Sequence, residues 1–223
     1  MGLTGPIKFT LPTMSPRENM RDAIIATANR GKFEEIKSIL LGEFDNLYSL
    51  KDLDGVVDVE EDSTLYLENA LKKARKIGDR FFMDTIADDS GLEVDALGGR
   101  PGVFSSRYGK NDDDRIERLL AELEGIPWEK RGAVFKAYVA LYIPGKERGY
   151  IFYGQLRGII GFERRGAKGF GYDPIFYVPG LDRYVAELTM EEKNRLSHRG
   201  KALYALKNFL NADFFKGPRA LNR

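Results

Sequence analysis

The residues able to do chemistry form a narrow set. The chain of 223 residues contains no cysteine and one histidine, His198. Thiol nucleophiles, disulfides, iron–sulfur ligation and cysteine-based zinc sites are therefore excluded, as are metal sites made of clustered histidines. A Ser-His-Asp triad would have to use that one imidazole. Carboxylates, lysines, arginines and backbone amides remain, and five segments concentrate them.

The first segment is Thr27-Ala28-Asn29-Arg30-Gly31-Lys32, which joins an apolar run to a helical pattern. The start of a helix offers free amides and a positive dipole end, and Lys32 adds a point charge, so the turn suits an anionic phosphate. A Walker A loop is excluded, because Ala26 and Phe33 stand where that motif needs Gly and Ser or Thr. The second is Asp88-Asp89-Ser90-Gly91, read as the acidic end of a short strand. Close like charges need a cation or donors to offset them, and carboxylates bind hard cations. Glu60 and Glu61 are candidates to complete a magnesium site. The third, Gly98-Gly99-Arg100-Pro101-Gly102 running to Ser105-Ser106-Arg107-Tyr108, specifies an irregular loop from which Arg107 reaches a phosphate or a carboxylate. In the fourth, Gly166 to Pro174, glycines let backbone approach a ligand, Phe170 or Tyr172 stacks on a base, and Asp173 accepts hydrogen bonds from its edge. The fifth runs from Glu191 to Gly200. Lys193 and Ser197 share a helix face there, and His198 and Arg199 join them only if the helix restarts at Ser197, a good N-cap. Taken singly, each segment also has a plain reading as turn, cap or solvated surface.

The elements that must position these segments follow from periodicity. An apolar run at 22–28 reads as a buried strand, and Phe33, Ile36, Ile39 and Leu40 give a helix over 32–41. A second strand is expected at 56–59, a helix at 64–77, a short strand at 85–87 and a helix at 113–123. Aromatic and β-branched runs at 133–143 and 150–157, split by Pro144-Gly145, predict a hairpin. A short strand follows at 175–178. Thr189 and Glu192 form a capping box, and Leu203, Leu206 and Leu210 give the final helix its buried stripe. This order predicts an α/β fold with a mixed sheet. Residues 1–20, punctuated by prolines, read as an extended arm or leader, 21–211 as one domain, and 212–223 as a polar tail. Lys plus Arg number 35 against 34 acids, so there is no global attraction for nucleic acid or an anionic membrane. No span-length apolar stretch and no targeting segment is visible, so the cytoplasm is the expected location.

Together the segments resemble the Ham1-type inosine triphosphate pyrophosphatase family. The resemblance rests on Thr27, Asn29, Gly31 and Lys32; Glu68-Asn69-Ala70; Ala87 to Leu92; Leu97-Gly98-Gly99 with Pro101-Gly102-Val103; Ser106-Arg107-Tyr108; Gly169 to Phe176; and Ala186-Glu187-Leu188 through Ser197-His198-Arg199. It spans about residues 22 to 210, and seven motifs in order make it specific. It implies an elongated mixed sheet flanked by helices, with two lobes and a central cleft. It implies magnesium-dependent hydrolysis of inosine and xanthosine triphosphates to monophosphate and pyrophosphate, by a homodimer. Carried over residue by residue, Thr27 to Lys32 and Ser90 hold phosphates, and Asp89 binds metal and is the catalytic carboxylate. Glu60 or Glu61 is the second metal ligand. Phe170, Gly171, Tyr172, Asp173, Lys193, His198 and Arg199 cradle the base. Lys168 departs from the usual small residue and is expected to add positive charge near the phosphates. The alternatives are a related pyrophosphatase for modified pyrimidines or the common nucleotides, and a non-catalytic nucleotide-binding module, against which the acidic set Glu60, Glu61, Asp88 and Asp89 argues.

Overall fold

A computed structural model describes residues 22–55 and 59–212. The expected arm at 1–20, almost all of the expected tail and residues 56–58 of the expected second strand lie outside the described residues.

Eight strands form one mixed sheet: β1 (Asp22–Ile25), β2 (Asn46–Ser49), β3 (Asp84–Val94), β4 (Pro101–Gly102), β5 (Gly132–Ile143), β6 (Arg148–Ile160), β7 (Phe176–Val178) and β8 (Arg183–Tyr184). The order is β2-β1-β3-β5-β6-β7-β8, with β4 paired to β3. β1 runs parallel to β2 and β3, and the other pairings are antiparallel. Among the described residues five α-helices flank the sheet: α1 (Arg30–Leu40), α2 (Tyr66–Phe81), α3 (Asp112–Glu122), α4 (Met190–Leu196) and α5 (His198–Asn211). The α/β expectation and the hairpin hold. None of the described helices is long and apolar enough to cross a membrane.

The core shows why the strands alternate as they do. Ala23 and Ile25 of β1 face one apolar cluster with Ile36 and Leu40 of α1 and Leu203 and Leu206 of α5. Ile24 faces the opposite cluster with Ala70, Ala74 and Ile77 of α2. Successive strand side chains point to opposite faces, so a fully apolar run is what a strand covered by helices on both sides requires. A third cluster, around α3, Phe135, Ile160 and Phe176, forms the second lobe.

One expectation is corrected here, and β2 at Asn46–Ser49, a half-exposed edge strand with weak patterning, adds to the expected elements. The strand expected at 85–87 is longer: β3 has 11 residues and carries Asp88-Asp89-Ser90-Gly91 within its ladder to β5. The acidic pair is therefore not a turn. Asp88 follows the parity of Ile86, on the α1 and α5 face, and Asp89 that of Ala87, on the α2 face. The chain does restart at Ser197, which ends α4 and caps α5 by accepting from the Gly200 amide. The first turn of α5 lies directly on β6, where a Cβ on Gly154 would be 2.1 Å from the His198 carbonyl oxygen.

Candidate active site

A cleft opens where the two lobes meet above β3. Its lining brings together Asn29 and Lys32 from α1, Glu61, Asp89 and Ser90, the stretch Phe170 to Asp173, and Lys193, His198 and Arg199. Most residues singled out in the sequence therefore converge. Thr27, Ala28 and Glu60 line an adjoining groove that shares Asn29, Lys32 and Glu61 with the cleft. Arg30 is exposed and lies outside both, in a groove behind Phe170. Lys168 lies in that same outer groove, with Nζ 3.4 Å from the Glu187 carbonyl oxygen.

At the α1 end the turn Thr27 to Lys32 is built by local capping. The Asn29 side chain accepts from the Lys32 amide at 3.0 Å, and the Asn29 amide donates to Thr27 Oγ1. Lys32 Nζ lies 2.6 Å from Asp88 Oδ2. Asp88 is fully buried, and on the same face its carboxylate receives Arg199 Nε at 3.1 Å and the Ser90 hydroxyl at 3.1 Å. Burial alone would raise the Asp88 pKa, but Arg199 and Lys32 outweigh it and hold the carboxyl well below the usual range.

Glu35 of α1 extends this network. It is 2 % exposed and bridges Lys193 and Arg199, with Lys193 Nζ 2.7 Å from Oε1 and Arg199 Nη1 on Oε2. Lys193 also pairs with Asp173. Burial pushes the Asp173 carboxyl up against the pull of Lys193, while Arg199 and Lys193 overcome burial to lower that of Glu35. The result is a continuous buried chain of alternating charge: Asp173, Lys193, Glu35, Arg199, Asp88, Lys32. Unpaired buried charges are costly, and in this chain of six groups every charge has an opposite neighbour. Arg199 sits at a helix N-terminus, which disfavours a cation, and the two carboxylates offset that as well. Nothing in the sequence marked Glu35, because a glutamate on an amphipathic helix reads as solvated.

On the opposite face Asp89 sits apart from this network. Its carboxylate accepts the Ser90 amide at 2.9 Å and Asn69 Nδ2 at 3.0 Å. Burial raises its pKa, Lys32 opposes, and the like charge of Glu61 adds to the rise. Glu61 is paired with Lys73, and its carbonyl oxygen accepts Arg107 Nη1 at 3.0 Å. That bond is the carboxylate-free role the structure gives Arg107.

At the far end the loop Gly169 to Asp173 is tied down by side chains. Phe170 N–H donates to Asp173 Oδ2 at 2.9 Å, Gly171 N–H to Asp112 Oδ2 at 2.7 Å, and Tyr172 Oη to the Ser105 carbonyl at 3.0 Å. Tyr172 is 4 % exposed and packs in the core, which leaves Phe170 as the half-buried ring of the loop. Lys193 Nζ lies 4.4 Å from the centroid of that ring. His198 stacks on Phe135 at 4.7 Å and 11°, and its buried Nδ1 has no protein partner among the described residues. Burial and the Arg199 charge hold its pKa well below 6.5, so the imidazole is neutral at physiological pH. Asn69, Phe135 and Asp112 were not singled out as site residues, although Asn69 stood in one of the family strings.

A cleft with cations and a capped helix start at one end, carboxylates in the middle and a ring over buried donors at the other defines a nucleotide hydrolase of the α/β class. The chain belongs to the Ham1 family, whose model matches residues 23–209. A dITP/XTP pyrophosphatase of Halalkalibacterium halodurans is 47% identical over 195 residues, covering 86% of this chain and 100% of that relative. Another from Geobacter sulfurreducens is 47% identical over 194 residues, covering 86% and 97%. The structure of a HAM1 protein from Coxiella burnetii superposes with a TM-score of 0.77 at 38% identity, covering 86% of this chain and 99% of that one.

Proposed function

We propose that this chain hydrolyses the α–β phosphoanhydride of deaminated purine nucleoside triphosphates, inosine and xanthosine triphosphates and their deoxy forms, to the monophosphate and pyrophosphate. This activity removes damaged purines from the nucleotide pool. The observation that carries the reading is the cleft itself, with Asp89 and Glu61 between the Lys32 turn and the Phe170 loop.

The donor set suits a hard divalent cation. It offers carboxylates and no thiolate, and the charges of Asp89 and Glu61 already act on each other across the cleft. Among the described residues no three acids or histidines form a complete cage, and magnesium normally takes one or two carboxylates, completing its shell with water and phosphates. Glu61 and Asp89 would hold magnesium, which when bound offsets charge on the phosphate oxygens. Glu60 lines only the adjoining groove, which favours Glu61 as the ligand.

Phosphoryl-type transfer needs mainly positioning and electrostatic stabilisation. The α1 amides and Lys32 bind the phosphate chain, with Ser90 beside them. Water attacks the α-phosphorus, Asp89 takes its proton, and the bond to the bridging oxygen breaks so that pyrophosphate leaves. At the other end Phe170 stacks on the purine. Lys193 and Arg199 are held by Glu35, Asp88 and Asp173 as fixed donors. A 6-oxo group accepts from them, whereas the 6-amino group of adenine would place donor against donor, a mismatch that buried polar sites reject strongly. The free Nδ1 of neutral His198 gives the base one further partner.

The enzyme acts in the cytoplasm as a homodimer in this reading, and light scattering of the purified protein checks the latter. The decisive assay is pyrophosphate release from inosine, xanthosine, adenosine and guanosine triphosphates with magnesium. Preference for the first two is expected, and equal turnover of adenosine triphosphate would overturn the specificity argument.

A further inference from the structure

We propose that Gly31 is a positioning residue for the base, acting through Phe170 and not through phosphate. In the sequence Gly31 reads as part of the phosphate turn. In the structure it is the second residue of α1, with helical backbone outside the left-handed region. Helix interiors disfavour glycine relative to alanine, so no backbone requirement explains it there.

What requires glycine is a neighbour from the other lobe. A Cβ on Gly31 would stand 2.3 Å from Cδ1, 2.6 Å from Cε1 and 2.9 Å from Cγ of Phe170. These distances are far inside contact. The Phe170 backbone has little room to yield, because its own amide is held by Asp173 and the next by Asp112. Lys193 Nζ lies 4.4 Å and Arg199 Cζ 5.6 Å from the ring centroid. The bare face of α1 therefore fixes where the ring stands, against the first turn of α1 and close to the buried cations. The phosphate turn and the base loop come from different lobes, and the contact of Gly31 with Phe170 sets their spacing. Any side chain at 31 forces the ring out of the place from which it stacks on a purine.

This inference rests on the reading of Phe170 as the stacking residue, and the test separates the two. Gly31→Ala, Phe170→Ala and the double variant are assayed with inosine triphosphate, with inorganic triphosphate as a competitor that has no base. Base–aromatic stacking loses about 5- to 100-fold when removed, so Phe170→Ala raises KM by that order, and Gly31→Ala approaches it with a smaller change in kcat. In the Phe170→Ala background the alanine at 31 has room, so the double variant matches Phe170→Ala within about twofold, a non-additivity expected of residues in contact. The inhibition constant of inorganic triphosphate stays the same in Gly31→Ala. Should Gly31→Ala fail to fold while the double variant folds, the clash with Phe170 is demonstrated directly. Additive effects, weaker inhibition by inorganic triphosphate, or misfolding of both Gly31 variants would each overturn the proposal. A Phe170→Ala enzyme with wild-type KM would instead refute the stacking role itself.

Discussion

Adjacent residues Asp88 and Asp89 should respond in opposite ways to the same change. Asp88→Asn removes a fully buried carboxylate that pairs with Lys32 and Arg199. Breaking a buried pair by removing one partner costs about 3–5 kcal/mol, because the other charge stays buried without its counterion. For a domain of this size each kcal/mol shifts Tm by about 2–4 °C, so a fall of roughly 6–20 °C is expected. Asp89→Asn is different. The pKa of Asp89 is raised, by burial first and by Glu61 as well. A raised carboxylate pKa means that the charged form already weakens the fold at neutral pH. An isosteric neutral residue removes that cost but loses part of the acceptance from Ser90 and Asn69, which leaves Tm within about 3 °C of wild type, roughly 1 kcal/mol. Turnover, in contrast, is abolished. Thermal unfolding by calorimetry without magnesium, paired with a pyrophosphate assay, reads both quantities. Equal loss of Tm in the two variants, or an unaffected Tm in Asp88→Asn, would refute the assignment of the two carboxylates to different environments.

Further outcomes follow from the same geometry. His198 is the only imidazole in the chain, so its NMR titration is unambiguous and should show no protonation in the folded protein near pH 6.5. Its folded pKa is lowered, by burial first and then by Arg199, below the 6.5 of an exposed histidine. Below that pH the unfolded chain binds a proton that the folded chain does not, so stability should decline as pH falls below about 6.5. A titration midpoint at or above 6.5 would contradict the buried placement. Glu61→Gln should raise the magnesium concentration for half-maximal activity by at least about tenfold, since even partners that only orient a ligand cost about 10- to 100-fold when removed, and Glu60→Gln should shift it far less. The reverse order would move the ligand assignment to Glu60. Chelation should stop turnover, with activity returning on addition of magnesium.

Local signals made much of the fold legible. Helix α1 follows from its apolar spacing, the hairpin from Pro144-Gly145 between two β-rich runs, and the restart at Ser197 from its N-cap chemistry. The length of β3 was not legible, because Asp-Asp-Ser-Gly has the composition of a turn. Its charges are tolerated in a strand because Lys32 and Arg199 meet Asp88, the latter from 111 positions away, and Asn69 and the Ser90 amide meet Asp89. Glu35 was hidden for the same reason, since its partner Arg199 is 164 positions distant. The side chains were legible as types in an order, while their pairing was not, because the partners come from distant parts of the sequence. The placement of Lys168 in the outer groove was not legible, because nothing in the local string tells which side of the Phe170 loop a side chain leaves.

The alternation along β3 has a wider consequence. One strand presents Asp88 to the ionic chain that holds the base-facing donors and Asp89 to the surroundings where Glu61 stands, with the sheet as a partition between them. On the proposed function, substitutions at Glu35 or Arg199 would act first on which base is accepted, and substitutions around Asn69 and Glu61 first on the chemistry. Asp88 meets Lys32 and the Ser90 hydroxyl, and Asp89 meets the Ser90 amide, so Lys32 and Ser90 are where the two sides of the strand communicate.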